Sequence, residues 1–131
     1  MGDVYVFRNP GGQQLAKRTY GLPPTAMAVA ADSERVALTV GGQLEIRSVE
    51  DLTEIESYPW AWMSVQWLSP RFLIGAISDA RIQIGDVQTG EIVAEIATGS
   101  WVRSMHYVES RGIALVTTQD RALVLRIALP D

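Results

Sequence analysis

Apolar residues recur along this chain as short alternating pairs, not as helical stripes. The pattern apolar–x–apolar falls at Val4/Val6, Leu44/Ile46, Ile82/Ile84 and Leu123/Leu125, at offsets of 40, 38 and 41 residues. A second marker, Val29, Val65 and Met105, stands upstream of three of these pairs at offsets of 36 and 40. Alternation with period two is the mark of a strand whose two faces meet different surroundings. The central unit shows it in full. Residues 62–67 alternate, Ser69-Pro70-Arg71 turns, and Phe72–Ile77 is apolar enough for burial on both faces. Ser78-Asp79-Ala80 turns again, residues 81–84 alternate, Asp86-Val87-Gln88-Thr89-Gly90 is a third turn, and residues 91–96 close the unit. Four short strands joined by tight turns make one antiparallel meander.

The preceding unit repeats that order, with strands expected over 27–31, 36–40, 44–49 and 53–58 and turns at Asp32-Ser33-Glu34, Gly41-Gly42 and Glu50-Asp51. The following unit has strands over 102–108, 113–118 and 122–128, then ends without a fourth. The N-terminus carries the complementary fragment: a strand over 4–8, the turn Asn9-Pro10-Gly11-Gly12, and a strand over 14–20. Helices are disfavoured, because Gly and Pro interrupt the chain and β-branched residues cluster in short runs. A four-strand unit of about forty residues is the signature of a β-propeller blade. The expected fold class is therefore all-β: four-stranded antiparallel blades of an incomplete propeller, about 3 to 3.5 per chain. The expected divisions are a half blade over 1–22, blades over 23–59 and 60–99, and a three-stranded blade over 100–131.

The units resemble WD40-type propeller repeats. The stretch Ile74-Gly75-Ala76-Ile77-Ser78-Asp79-Ala80-Arg81-Ile82-Gln83-Ile84-Gly85-Asp86 resembles the family's buried second strand, turn Asp, alternating third strand and closing Trp-Asp. Gly85 stands at the Trp position and Asp86 keeps the Asp. Asp120 matches the turn Asp79, and Gly41 holds that place in the first unit. Phe7, Arg47 and Arg126 hold the Trp position elsewhere. The Gly-His pair that opens a typical repeat is absent.

Composition narrows the function. The chain has 131 residues, no cysteine and a net charge of −4. Thiol chemistry and Cys-ligated zinc are excluded. An acidic chain whose ten arginines are scattered lacks the concentrated basic surface that nucleic acid requires, and those arginines read as solvated strand-face residues. No apolar stretch approaches the roughly 18 residues of a membrane helix, and no signal peptide is visible, so a cytoplasmic protein with no nucleic-acid or membrane partner is expected. Catalytic chemistry is not expected. The one histidine, His106, lies inside a predicted strand, and neither Gly11-Gly12 nor Gly41-Gly42 precedes a helix as a phosphate loop must. Glu54 and Glu56 share one face of a predicted outer strand, where solvation is the ordinary reading. No cofactor or metal is expected.

One aromatic constellation stands out. Tyr58, Trp60, Trp62 and Trp101 sit at the connections from the fourth strand of one unit to the first strand of the next, which gather on one face of a propeller. These four are the candidate protein-binding residues, since aromatic side chains bury large area at low entropic cost. Trp60 lies furthest outside the predicted inner strand. Trp62 and Trp101 have a competing role, packing between blades.

Thirteen expected strands cannot close a ring, and exposed sheet edges template pairing with other chains. The expectation is a non-enzymatic interaction scaffold, a half-propeller completed by self-association or by another propeller chain. In a second copy, residues 14–20 would supply the missing fourth strand; the closed pair would have about six or about eight blades. Two other readings stay open: a ligand-binding or catalytic propeller whose site forms only in the assembled ring, and a fragment of a longer regulatory or sensor protein.

Overall fold

The structure, a computed structural model, describes residues 2–7 and 11–129. The expected extension of the first strand to Arg8, the turn residues Asn9 and Pro10, and Arg8 among the scattered arginines lie outside the described residues. Thirteen strands form four antiparallel sheets among those described. The N-terminal hairpin pairs β1 (Gly2–Phe7) with β2 (Gln14–Tyr20). The first four-stranded sheet runs in chain order through β3 (Ala26–Val29), β4 (Arg35–Val40), β5 (Gln43–Ser48) and β6 (Glu54–Tyr58). The second repeats it with β7 (Ser64–Trp67), β8 (Phe72–Ile77), β9 (Arg81–Asp86) and β10 (Glu91–Ala97). The last has β11 (Val102–Val108), β12 (Ile113–Thr118) and β13 (Ala122–Arg126). A short 3-10 turn, Glu109–Arg111, joins β11 to β12 and ends at Gly112 in the left-handed region. The expected strand order and number are found, with boundaries that coincide or shift by one or two residues.

The sheets stack face to face, and their two faces can be read from the pairing. Residues opposite one another across a ladder share a face. Val36 and Leu38 of β4 face the hairpin and pack with Val4, Tyr20 and Leu52. On the other face of the same sheet, Ala37, Leu44 and Ile46 pack against Trp60, Trp62, Val65 and Leu73. The second sheet turns Ile74, Ala76, Ile82 and Ile84 toward Met105, Ala114 and Val116 of the third. Each interior strand thus serves two interfaces, which explains why β4 and β8 are apolar at almost every position.

The fourth apolar pair departs from the sequence repeat. Gly75 pairs with Gln83 eight positions on, whereas Val116 pairs with Leu123 seven positions on, so the β12–β13 hairpin is one residue shorter. A change of one residue reverses which side chains face which way. Val65 pairs with Gly75 and Gly75 with Gln83; Met105 pairs with Val116 and Val116 with Leu123. Leu123 therefore stands where Gln83 stands, and Leu123/Leu125 point back into the interface with the second sheet. The outward face of the last sheet is mixed: Leu115 and Val124 are exposed beside His106, Thr117 and Arg126. Ser104 and Thr117 share a hydroxyl hydrogen bond of 2.6 Å on that face.

Candidate interaction site

The aromatic residues at the sheet-to-sheet connections divide into two groups. Tyr58, Trp60 and Trp62 form a ladder inside the protein. The Tyr58 and Trp60 rings stack at 4.3 Å and 15°, and the Trp60 and Trp62 rings at 5.0 Å and 28°. The ladder fits because the second sheet offers glycines where its rings lie: Trp60 covers Gly85 and Trp62 covers Gly75. The space that a side chain at Gly85 would take is filled by Trp60 from a neighbouring connection. The Trp62 indole N–H donates to Gln83 Oε1 at 3.0 Å, and the Tyr58 hydroxyl donates to the Val87 carbonyl. Burial, with Glu56 and Asp86 nearby, pushes the Tyr58 hydroxyl up to about 12. All three rings are buried, so the expectation that Trp60 is open to a partner is corrected: it is packing material between the first two four-stranded sheets.

Trp101 is the exception, with 56% of its surface exposed. It precedes β11 and borders a cleft of about 230 Å³ between the second and third sheets. Met63, Ser64, Ala76, Ile77, Ser78, Val102 and Arg103 complete the lining. Met63 is also exposed, at 51%, and the Ser64 hydroxyl is buried without a hydrogen-bond partner among the described residues. Arg103 makes no ion pair among the described residues, whereas the nearby Arg81 is held by both Asp79 and Glu95. Met63, Ser64 and Arg103 are not singled out by sequence, because nothing in the alternating run 62–67 separates Met63 from its neighbours and Arg103 is one of ten scattered arginines.

Other candidates from the sequence resolve into structural roles. Arg47 is buried rather than solvated. Its Nε donates to Glu45 Oε1 at 2.8 Å and its Nη1 to the Leu52 carbonyl at 2.8 Å, with the Tyr20 ring 5.6 Å from the guanidinium. Leu52 sits at φ 61°, a backbone state that the Arg47 bond helps to hold. Asp86 accepts from Arg71 Nε at 2.9 Å and Nη2 at 2.7 Å, and from the Gln88 amide at 2.9 Å. Those Arg71 bonds hold its carboxyl down at about 2. The pair closes the turn into β10 and pins it to the Ser69–Arg71 turn. His106 lies exposed on the outward face of the last sheet. Glu54 and Glu56 are exposed on β6, with Glu54 3.8 Å from Arg47. No group of three His, Cys, Asp or Glu residues that could hold a metal occurs among the described residues. No helix is long and apolar enough to cross a membrane among them.

No family model matches the chain, and no curated protein is similar to it. Solved structures of β-propeller proteins do resemble it. BamB from Moraxella catarrhalis superimposes with a TM-score of 0.75 at 15% identity, over 95% of this chain and 39% of that one. Hsv2 from Kluyveromyces lactis gives 0.69 at 13% identity, over 84% and 34%. Hsv2 from Kluyveromyces marxianus gives 0.68 at 18%, over 84% and 35%. The chain spans little more than a third of the length of these propellers. Identities this low speak for the fold alone, and the fold is a partial β-propeller of about three blades.

Proposed function

We propose that this chain is a non-enzymatic protein-interaction module, a single partial-propeller domain whose ring is completed by blades from a second polypeptide, either another copy or a different propeller chain. The observation that carries this reading is Met27. The ladders set Met27, not Val29, at the position that Val65 and Met105 hold on β7 and β11, on the face turned to the preceding blade. Val65 is 3% and Met105 9% exposed, yet Met27 is 56% exposed. The difference has one cause: β1 and β2 supply only the outer half of the blade that precedes β3. A cleft of about 570 Å³ lies where inner strands would stand, lined by Asp3, Val4, Tyr5, Pro24, Thr25, Ala26 and Met27. The inner edge of β1 and the outer edge of β13 carry no paired strand among the described residues. Open edges of this kind recruit strands from other chains.

The mixed outward face of the last sheet bears on how closure occurs. His106, Thr117 and Arg126 make it a poor mimic of the apolar faces within the stack, so pairing at the β13 edge and filling of the Met27 cleft contribute more than face-to-face burial there. The experiment is the mass of the purified chain in solution, compared with that of Met27→Asp.

A further inference from the structure

Two groups stand out among the exposed apolar side chains. Met27 borders the incomplete first blade, and Leu115 and Val124 lie on the outward face of the last sheet. Their exposure follows from the blades that are missing beside them. Met63 and Trp101 are different. They flank the junction of the second and third sheets, where both neighbours are present and packed, and where Ile74, Ile82, Met105 and Val116 are buried.

We propose that the cleft between Met63 and Trp101 is a docking site for an extended peptide segment that carries an apolar side chain beside a carboxylate. Its volume of about 230 Å³ suits a side chain; sites for whole small molecules run roughly 300–1,000 Å³. Met63 is a flexible apolar wall and Trp101 a rigid one, the combination that adapts to a side chain while anchoring it. Arg103 supplies the charge. It has no ion-pair partner among the described residues, although the protein as a whole carries a net charge of −4 and its neighbour Arg81 is doubly paired. A free guanidinium at the rim of an apolar cleft selects a carboxylate and disfavours a basic segment. The Ser64 hydroxyl, buried and unpartnered at the floor, accepts a hydrogen bond from a peptide N–H that enters the cleft. The site shares with the reading above only that the chain binds protein. Both its walls come from one chain, so it stands whether or not a second polypeptide closes the ring.

The test is panning of short random peptides displayed on phage against the purified chain, with Trp101→Ala as counter-selection. Selected peptides are expected to join Leu, Ile, Met or Phe to Asp or Glu within one or two positions. Their affinity should fall roughly thirtyfold on Trp101→Ala. Arg103→Glu should weaken them and shift a fresh selection toward Lys and Arg. Met63→Lys, on the opposite wall, should reproduce the Trp101→Ala loss, which keeps the test decisive if Trp101→Ala fails to fold. The proposal is overturned if no sequence survives counter-selection, if the survivors are basic or carry no charge preference, or if Arg103→Glu leaves both affinity and selection unchanged. It is also overturned if acrylamide quenching of tryptophan emission falls as the protein concentration rises, because the cleft would then be filled by a second copy of the chain. A change in solution mass alone bears on ring closure and leaves these outcomes untouched.

Discussion

The indole of Trp60 occupies the space that a side chain at Gly85 would need: its Cη2 and Cζ3 lie 2.5 Å from the ideal Cβ position there. The two residues belong to different elements and are joined by nothing but shape. Trp60 fills the cavity that glycine leaves, and glycine is tolerated in β9 because the indole restores the packing. Gly85→Ala should therefore overpack the junction and cost about 1–3 kcal/mol. Trp60→Ala should cost about 3–5 kcal/mol by opening a cavity. Chemical denaturation of both variants checks this. A Trp60→Ala chain with an unchanged midpoint would show that the ring is not part of the core.

The Asp86–Arg71 pair sets an acid limit. Arg71 holds the Asp86 carboxyl from its ordinary 3.8 down to about 2. A carboxyl whose folded value is depressed stabilises the fold above its unfolded value, and the contribution fades as pH falls through the folded value. The urea midpoint should drop between about pH 4 and pH 2. Asp86→Asn should lower the midpoint at neutral pH and flatten the acid limb. Equal acid slopes in the two proteins would remove Asp86 from the explanation.

Arg47 should behave as a buried structural cation. Its removal takes one donor from Glu45, which keeps the Tyr20 hydroxyl, and leaves the Leu52 carbonyl without its side-chain donor. Arg47→Met should cost about 3 kcal/mol, the lower end of the range for a broken buried pair, since Glu45 keeps some contact with water. Loss of less than a few tenths of a kcal/mol in a denaturation titration would mean that water replaces the guanidinium without penalty.

Much of this architecture is legible in the chain because strands report their own periodicity. The alternating runs and their turn residues fix the thirteen strands and the order of the sheets. Turn chemistry is legible too: Gly41 and Gly42 both adopt positive φ in the two-residue β4–β5 loop. What escapes the sequence is the pairing of faces. A β12–β13 hairpin one residue shorter than its β8–β9 counterpart turns Leu123 and Leu125 inward, although their spacing matches the earlier pairs. The aromatic ladder escapes for a related reason. That Trp60 and Trp62 are buried depends on Gly85 and Gly75, which lie on other strands and contribute no signal of their own. Arg47 reads as one more surface arginine until Leu52, Glu45 and Tyr20 are folded around it. Only Trp101, of the four aromatic candidates, stands where a partner reaches it in the chain alone.

Met27 separates assembly from folding. If blades from a second polypeptide cover it, Met27→Asp should leave the chain folded, because the residue is exposed within the chain, yet block association by burying an unpaired charge. Val65→Asp, at the equivalent but buried position, should unfold the protein outright. Circular dichroism together with sedimentation velocity distinguishes the two. Equal association of wild type and Met27→Asp would place the assembly surface elsewhere.

The most direct measurement is light scattering coupled to size-exclusion chromatography at micromolar concentration. Completion of the ring by a second copy predicts about twice the 14.4 kDa of one chain, falling to the single-chain mass in Met27→Asp. Completion by a different propeller chain predicts a one-to-one complex when that chain is co-expressed, again lost in Met27→Asp. A monodisperse species of 14.4 kDa that unfolds cooperatively, with its mass unchanged by any co-expressed propeller chain, would contradict the central claim.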